Sequence, residues 1–158
     1  MVEELGFLTD PGERGEQGAH VFAFQGVPLT HALLSVGDVE SAQQLVDDAM
    51  PIAEAWANPD VVQSWILLRG MVMARHERWE DAEQAFEGAV DIARTLSMPY
   101  EEAQALHEWG VMLQHAGRQE EAGAKLQEAL EIFARLGARH DIERTQSELG
   151  AVEPARKG

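Results

Sequence analysis

Three stretches of the chain carry alanine, a large apolar residue four positions on, and alanine three after that: Ala42/Val46/Ala49, Ala82/Phe86/Ala89 and Ala122/Leu126/Ala129. From 42 to 82 to 122 the step is 40 residues. Other features keep the same step. Gly70, Gly110 and Gly150 are 40 apart with Thr30 in the preceding slot, Gly37 and Gly117 bracket Glu77, and Pro59 and Pro99 share one phase. Self-similarity of this period means that each unit is one supersecondary element that buries its apolar face mainly against its neighbours.

Each unit reads as two helices. First helices are predicted over 20–36, 60–76, 100–115 and 140–149, and second helices over 38–56, 79–97 and 119–136. Phe86, Ala89, Val90, Ala93 and Leu96 fall on one helical stripe, as do Leu126, Ala129, Leu130, Phe133 and Leu136. Gly37, Gly117 and Gly137 stand where a helix must stop. Asn58-Pro59-Asp60 and Ser97-Met98-Pro99 supply the turn and cap for the next helix. Pro28 and Pro51 fall inside predicted helices, which predicts a kink at Pro51 and a late or bent start near Pro28. The recurring Ala and Gly let paired backbones approach closely, so Ala82→Leu and Gly110→Leu are each expected to cost about 1–3 kcal/mol by overpacking.

These residues resemble the tetratricopeptide repeat family. Its pattern of bulky, Leu, Gly, bulky, then Ala and Phe appears as Leu106, Trp109-Gly110, Leu113, Ala122 and Leu126 in the third unit, and as Ile66, Arg69-Gly70, Met73, Ala82 and Phe86 in the second. The first unit carries Gly26, Leu29-Thr30, Leu33, Ala42 and Val46 there. The 40-residue period exceeds the family's usual ~34, and Glu54, Arg94 and Ala134 replace its closing proline; longer helices account for both. This longer variety is similar to the repeat regions attached to large bacterial signalling ATPases and transcription regulators, especially over 129–150 with its Leu-Gly-Ala-Arg turn. The resemblance implies an all-α fold: a right-handed α-α superhelix, a solenoid of about three helix-turn-helix repeats (near 20–57, 58–97 and 98–137) with a partial repeat at 138–150 as capping helix. The Gly-rich segment 1–19 is not expected to form one long helix, although Leu5, Phe7 and Leu8 can dock on the first repeat. The end, 151–158, reads as a frayed tail.

The formal net charge is −16. Such a field repels phosphate backbones, which argues against nucleic acid and anionic membranes as direct partners and favours a partner with a basic segment. The absence of cysteine excludes disulfides, thiolate metal sites and cysteine nucleophiles, in keeping with a reducing cytoplasm. No basic stretch precedes an apolar run at the N-terminus, and no apolar run approaches the ~20 residues needed to span a bilayer.

The resemblance places first helices along a concave groove and gives candidate partner-binding residues: Phe24, Val27, His31 and Leu34; Ser64, Leu67, Met71 and Arg75; Gln104, His107, Val111 and Gln114; and Arg144 with Ser147. Adjacent repeats burying the apolar ones is the competing explanation. Lysine and asparagine are missing from the places where some family members grip a C-terminal carboxylate, which argues against that mode; Arg75 and Arg144 leave an anion contact open. Six histidines raise the question of metal, but His107 and His115 lie about 12 Å apart along a helix, too far for one zinc ion with ligands at ~2 Å. Solvated or edge positions are expected for the histidines, with His31 and His107 facing one groove as the alternative. Acidic openings of second helices such as Glu80-Asp81 and Glu120-Glu121 suit helix N-termini. Trp56, Trp65, Trp79 and Trp109 are read as core.

No phosphate loop or nucleophile elbow occurs, so no catalytic residue, metal or cofactor is expected and the chain is not read as an enzyme. The leading expectation is a cytoplasmic protein–protein interaction module. The alternatives are a sensor or regulatory segment of a larger ATP-dependent regulator and a homo-oligomerisation unit, which leaves a homodimer open.

Overall fold

The computed structural model describes residues 15–156. Within them the chain is all-helical, with seven helices and no strand: α1 (Gly15–Ser35), α2 (Val39–Trp56), α3 (Pro59–Arg75), α4 (Trp79–Thr95), α5 (Pro99–His115), α6 (Gln119–Leu136) and α7 (Arg139–Arg156). The starts of α2, α4 and α6, and of α3, α5 and α7, keep the 40-residue step of the sequence. None of these helices is long and apolar enough to cross a membrane.

The junctions repeat at half that step. One residue at each adopts the left-handed conformation, and these are Gly37, Ala57, Glu77, Ser97, Gly117 and Gly137. That reversal lets the next amide reach back to the last helical turn. Asp38, Arg78 and Arg118 thus donate their N–H groups to the carbonyls of Leu33, Met73 and Leu113 at 2.9, 3.0 and 2.9 Å. Asp38 and Asn58 then cap α2 and α3 by accepting from Ser41 and from Asp60 and Val61. Pro59 and Pro99 occupy the first turn of α3 and α5, where a missing N–H costs nothing.

Consecutive helices pack on one another, and α1, α3, α5 and α7 also touch in succession. The odd-numbered helices therefore form one layer, with α2, α4 and α6 behind it. One group of buried side chains centres on Phe22, Leu34, Val46, Trp65 and Leu68, and another on Phe86, Leu106, Leu113, Leu126 and Phe133. Ile66 and Met71 pack against both, which joins them.

The periodic small residues sit where helices approach most closely. Ala42, Ala82 and Ala122 are fully buried, as are Ala49, Ala89 and Ala129. A Cβ on Gly110 would lie 2.6 Å from Leu126 Cγ and 3.2 Å from the Ala122 carbonyl oxygen, and one on Gly70 would lie 2.9 Å from the Phe86 ring. Gly150 shares their phase yet has nothing within 4 Å. Gly110→Ala is therefore expected to lose about 1–3 kcal/mol, although alanine is the better helix former by about 1 kcal/mol. Gly150→Ala should gain about 0.5–1 kcal/mol. Melting temperatures of the two variants should move in opposite directions; a rise for Gly110→Ala would mean that α5 and α6 are not in contact there.

Three expectations are corrected, at the two ends and at Pro28. α1 begins at Gly15 and not near 20, so the last part of the Gly-rich segment is helical; residues 1–14, including Leu5, Phe7 and Leu8, lie outside the described residues. α7 runs on to Arg156, well beyond the expected end at 149, and Val152 is buried. Pro28 does not delay α1, which is helical on both sides of it. α2 likewise runs from Val39 to Trp56 through Pro51. Both prolines are exposed, so water is at hand for the carbonyl that each leaves without a donor.

Candidate functional site

The candidate groove residues lie on α1, α3, α5 and α7, the layer that makes one continuous face. Their exposure divides them. Phe24 is 66% exposed, and with Val27 and Ser64 it borders a shallow space of about 360 Å³ between α1 and α3. His31, Met71 and Val111 share one phase of the repeat and are all half-buried. Gln104 and Gln114 are half-buried too, while Arg75, Arg144 and Ser147 are exposed.

Leu34, Leu67 and His107 are different, at 2%, 3% and 2% exposure. Leu34 and Leu67 belong to the core, and the His107 ring is enclosed beside Thr145, its Nδ1 2.9 Å from the buried Thr145 Oγ1. Odd-numbered helices touch side by side, and these residues fall in the seams. A partner lying on the face cannot reach them. Burial of His107 also corrects the expectation of solvated or edge histidines, which His76, His115 and His140 meet by being exposed. Among the described residues no three His, Cys, Asp or Glu side chains converge as a metal-ligand set.

A second concavity lies between α3 and α5 over the start of α4. It measures about 410 Å³ and is lined in part by Met71, Arg75, Phe86, Glu108, Val111 and Met112. The repeat explains why it is open. Forty residues earlier, the columns of Ala74 and Glu108 hold Leu34 and Leu68, both buried. A leucine is thus reduced to alanine, and another is exchanged for a carboxylate.

Electrostatics in this region centre on Arg144. Its guanidinium lies 3.3 Å from Asp141 and 3.7 Å from Glu108, and the Tyr100 hydroxyl donates to the other Asp141 oxygen at 3.1 Å. Burial pushes the Glu108 carboxyl above the usual carboxylate range, while Arg144 and Arg75 pull it back and Glu148 adds to the rise. Burial, helped by Arg144 and opposed by Asp141, lowers His107 to about 4. His31 is lowered for the same two reasons, burial first and Arg144 second. Tyr100 is pushed up by burial and then by Asp141. Both histidines are therefore neutral at pH 7.

Glu108 and Ala74 were not among the groove residues expected from the sequence. The signal that finds them is a difference from the preceding repeat, which holds Leu34 and Leu68 in these columns; the following repeat holds Gln114 and Glu148. The tryptophans serve packing: Trp65 is fully buried, Trp109 is 8% exposed under the Lys125 ammonium at 4.1 Å, and Trp56 stacks on His20.

No protein-family model matches the chain, and no curated protein matches it. Among solved structures the chain is similar to the crystal structure of BtubC (BKLC) from P. vanneervenii, with a TM-score of 0.73 and 20% sequence identity. The match covers 98% of this chain and 62% of that one, so the chain spans less than two thirds of its structural neighbour. At this identity the likeness concerns the fold.

Proposed function

We propose that the chain is a protein–protein interaction module, built as a right-handed α-α superhelix of the tetratricopeptide kind, that takes a partner protein or peptide across the face of α1, α3, α5 and α7. It acts by binding and without catalysis. The observation that carries this reading is that Phe24, Val27, Met71 and Val111 remain incompletely buried on that one face, around concavities of about 360 and 410 Å³. A core residue whose task is only packing would be covered by its neighbours. The net charge of −16 favours a partner with a basic segment.

Affinity capture from native extract tests this with three baits: wild type, Met71→Arg/Val111→Arg on the face, and Gln84→Arg/Gln127→Arg on exposed positions of α4 and α6. With all three melting cooperatively, a partner held by wild type and by the second variant but lost from the first is the expected result. Loss only from the α4/α6 variant would place the contact on the opposite layer and overturn the reading.

A further inference from the structure

We propose that the cleft between α3 and α5 is a socket for one lysine or arginine side chain of the partner, with the Glu108 carboxylate receiving the cationic head. The proposal rests on the odd-numbered layer being the partner-binding face. Its shape argument is the double difference from the preceding repeat, where both columns hold leucine. Restoring leucine at both columns would fill the space, as Leu34 and Leu68 do one repeat earlier. The two changes differ in kind. Ala74 makes room, and Glu108 places a charge on the lining of that room.

The walls fit the stem of such a side chain. Met71, Phe86, Val111 and Met112 line the cleft, and long basic side chains lay their methylenes along apolar surface while the head reaches a polar partner. The carboxylate is short of donors. Glu108 has a side chain only 21% exposed and accepts no hydrogen bond among the described residues; Arg144, its nearest cation, stays at 3.7 Å and is shared with Asp141 at 3.3 Å. A carboxylate so placed gains more from a hydrogen-bonded cation than a solvated one does. Its raised proton affinity is in keeping with that deficit.

The other charges facing the cleft do not reverse the preference. Arg75 and His115 line it and are exposed, Glu77 offers a second carboxylate, and Glu148 adds negative potential from α7. An anionic side chain would find Arg75, but following the apolar walls inward it would bring a like charge against Glu108 in a poorly solvated space. A neutral aliphatic side chain would fill the walls and leave the carboxylate as poorly partnered as before. The cation alone satisfies both wall and carboxylate.

Three capped pentapeptides, alanine throughout except for a central lysine, norleucine or glutamate, are titrated into the ¹⁵N-labelled protein and followed by amide shifts. The lysine peptide should shift the amides of Met71, Glu108 and Val111 and bind about tenfold tighter than the norleucine peptide, the ratio expected for one charge-assisted hydrogen bond. Glu108→Gln, which removes a half-hidden charge without changing shape, should abolish that preference, and Ala74→Leu should close the socket. Glu131→Gln, an equal change of charge at an exposed site on α6, should leave the preference intact. Equal losses from Glu108→Gln and Glu131→Gln would reduce the effect to the general negative field and overturn the proposal. Equal lysine and norleucine binding at the α3 and α5 amides would overturn it while leaving the binding face standing. Amide shifts absent from all four odd-numbered helices with every peptide would count against both.

Discussion

Trp65→Ala should cost about 3–5 kcal/mol, more than the overpacking at Gly110. Trp65 is fully buried on α3, and its indole N–H donates to the Ala23 carbonyl of α1 at 2.7 Å. Its ring lies where a Cβ on Gly26 would approach to 3.0 Å, so the two backbones have closed around it. Truncation removes the apolar area, strands the cavity between two helices that cannot collapse further, and deletes a hydrogen bond. Trp65→Phe keeps most of the area and should lose markedly less. Because helices here couple mainly to their sequence neighbours, the damage should be uneven. Hydrogen exchange should quicken more in α1 and α2 than in α5 and α6. A urea midpoint within the range of an exposed substitution would mean that α1 does not depend on this contact.

The frame of the molecule was readable because one period governs several independent requirements. Ala82, Gly110 and Pro99 each answer a different local need, and each recurs at 40. The positions of α2 to α6 follow from that coincidence to within about two residues, the usual scatter of helix ends. Pro28 misled because a proline is judged by the bond it removes; whether water can replace that bond depends on exposure, which only packing decides. The extent of α7 was hidden for a related reason: the sequence past 149 is polar, and it is contact through Val152 that shows the helix continuing. At the candidate site, the choice of odd-numbered helices came from the repeat, but the choice of side chains on them did not. Leu67 and Met71 are one turn apart and look equivalent on a helical wheel. The first falls in the α3–α5 seam and the second on its lip, a difference set by how closely neighbouring helices approach.

The next seam along, between α5 and α7, makes a pH effect of comparable size. His107 is 2% exposed and lowered to about 4, whereas an unfolded imidazole protonates near 6.5. Between those values the unfolded chain binds a proton that the folded chain refuses, so stability rises with pH across the window and is lost as pH falls from about 6.5 to about 4. The difference of about 2.5 pH units corresponds to roughly 3 kcal/mol. His31, lowered in the same direction, adds to the loss. Glu108 opposes it, because a raised carboxyl takes up its proton in the folded state first and so stabilises on acidification. Falling net charge acts in the same sense as Glu108, so the wild-type profile alone is not diagnostic. His107→Gln isolates the imidazole: glutamine can still hydrogen-bond Thr145 but does not titrate. Its stability relative to wild type should improve by up to about 3 kcal/mol between pH 7 and pH 4, read as a convergence or crossing of the two urea-midpoint curves. Parallel curves would mean that His107 titrates as it does in water, which in turn would require α5 and α7 to stand apart around Thr145. The proximity of Arg144 makes the outcome informative for the face as well. Arg144→Gln should ease protonation of His107 by removing a neighbouring positive charge, and an unchanged titration would place the guanidinium away from the seam.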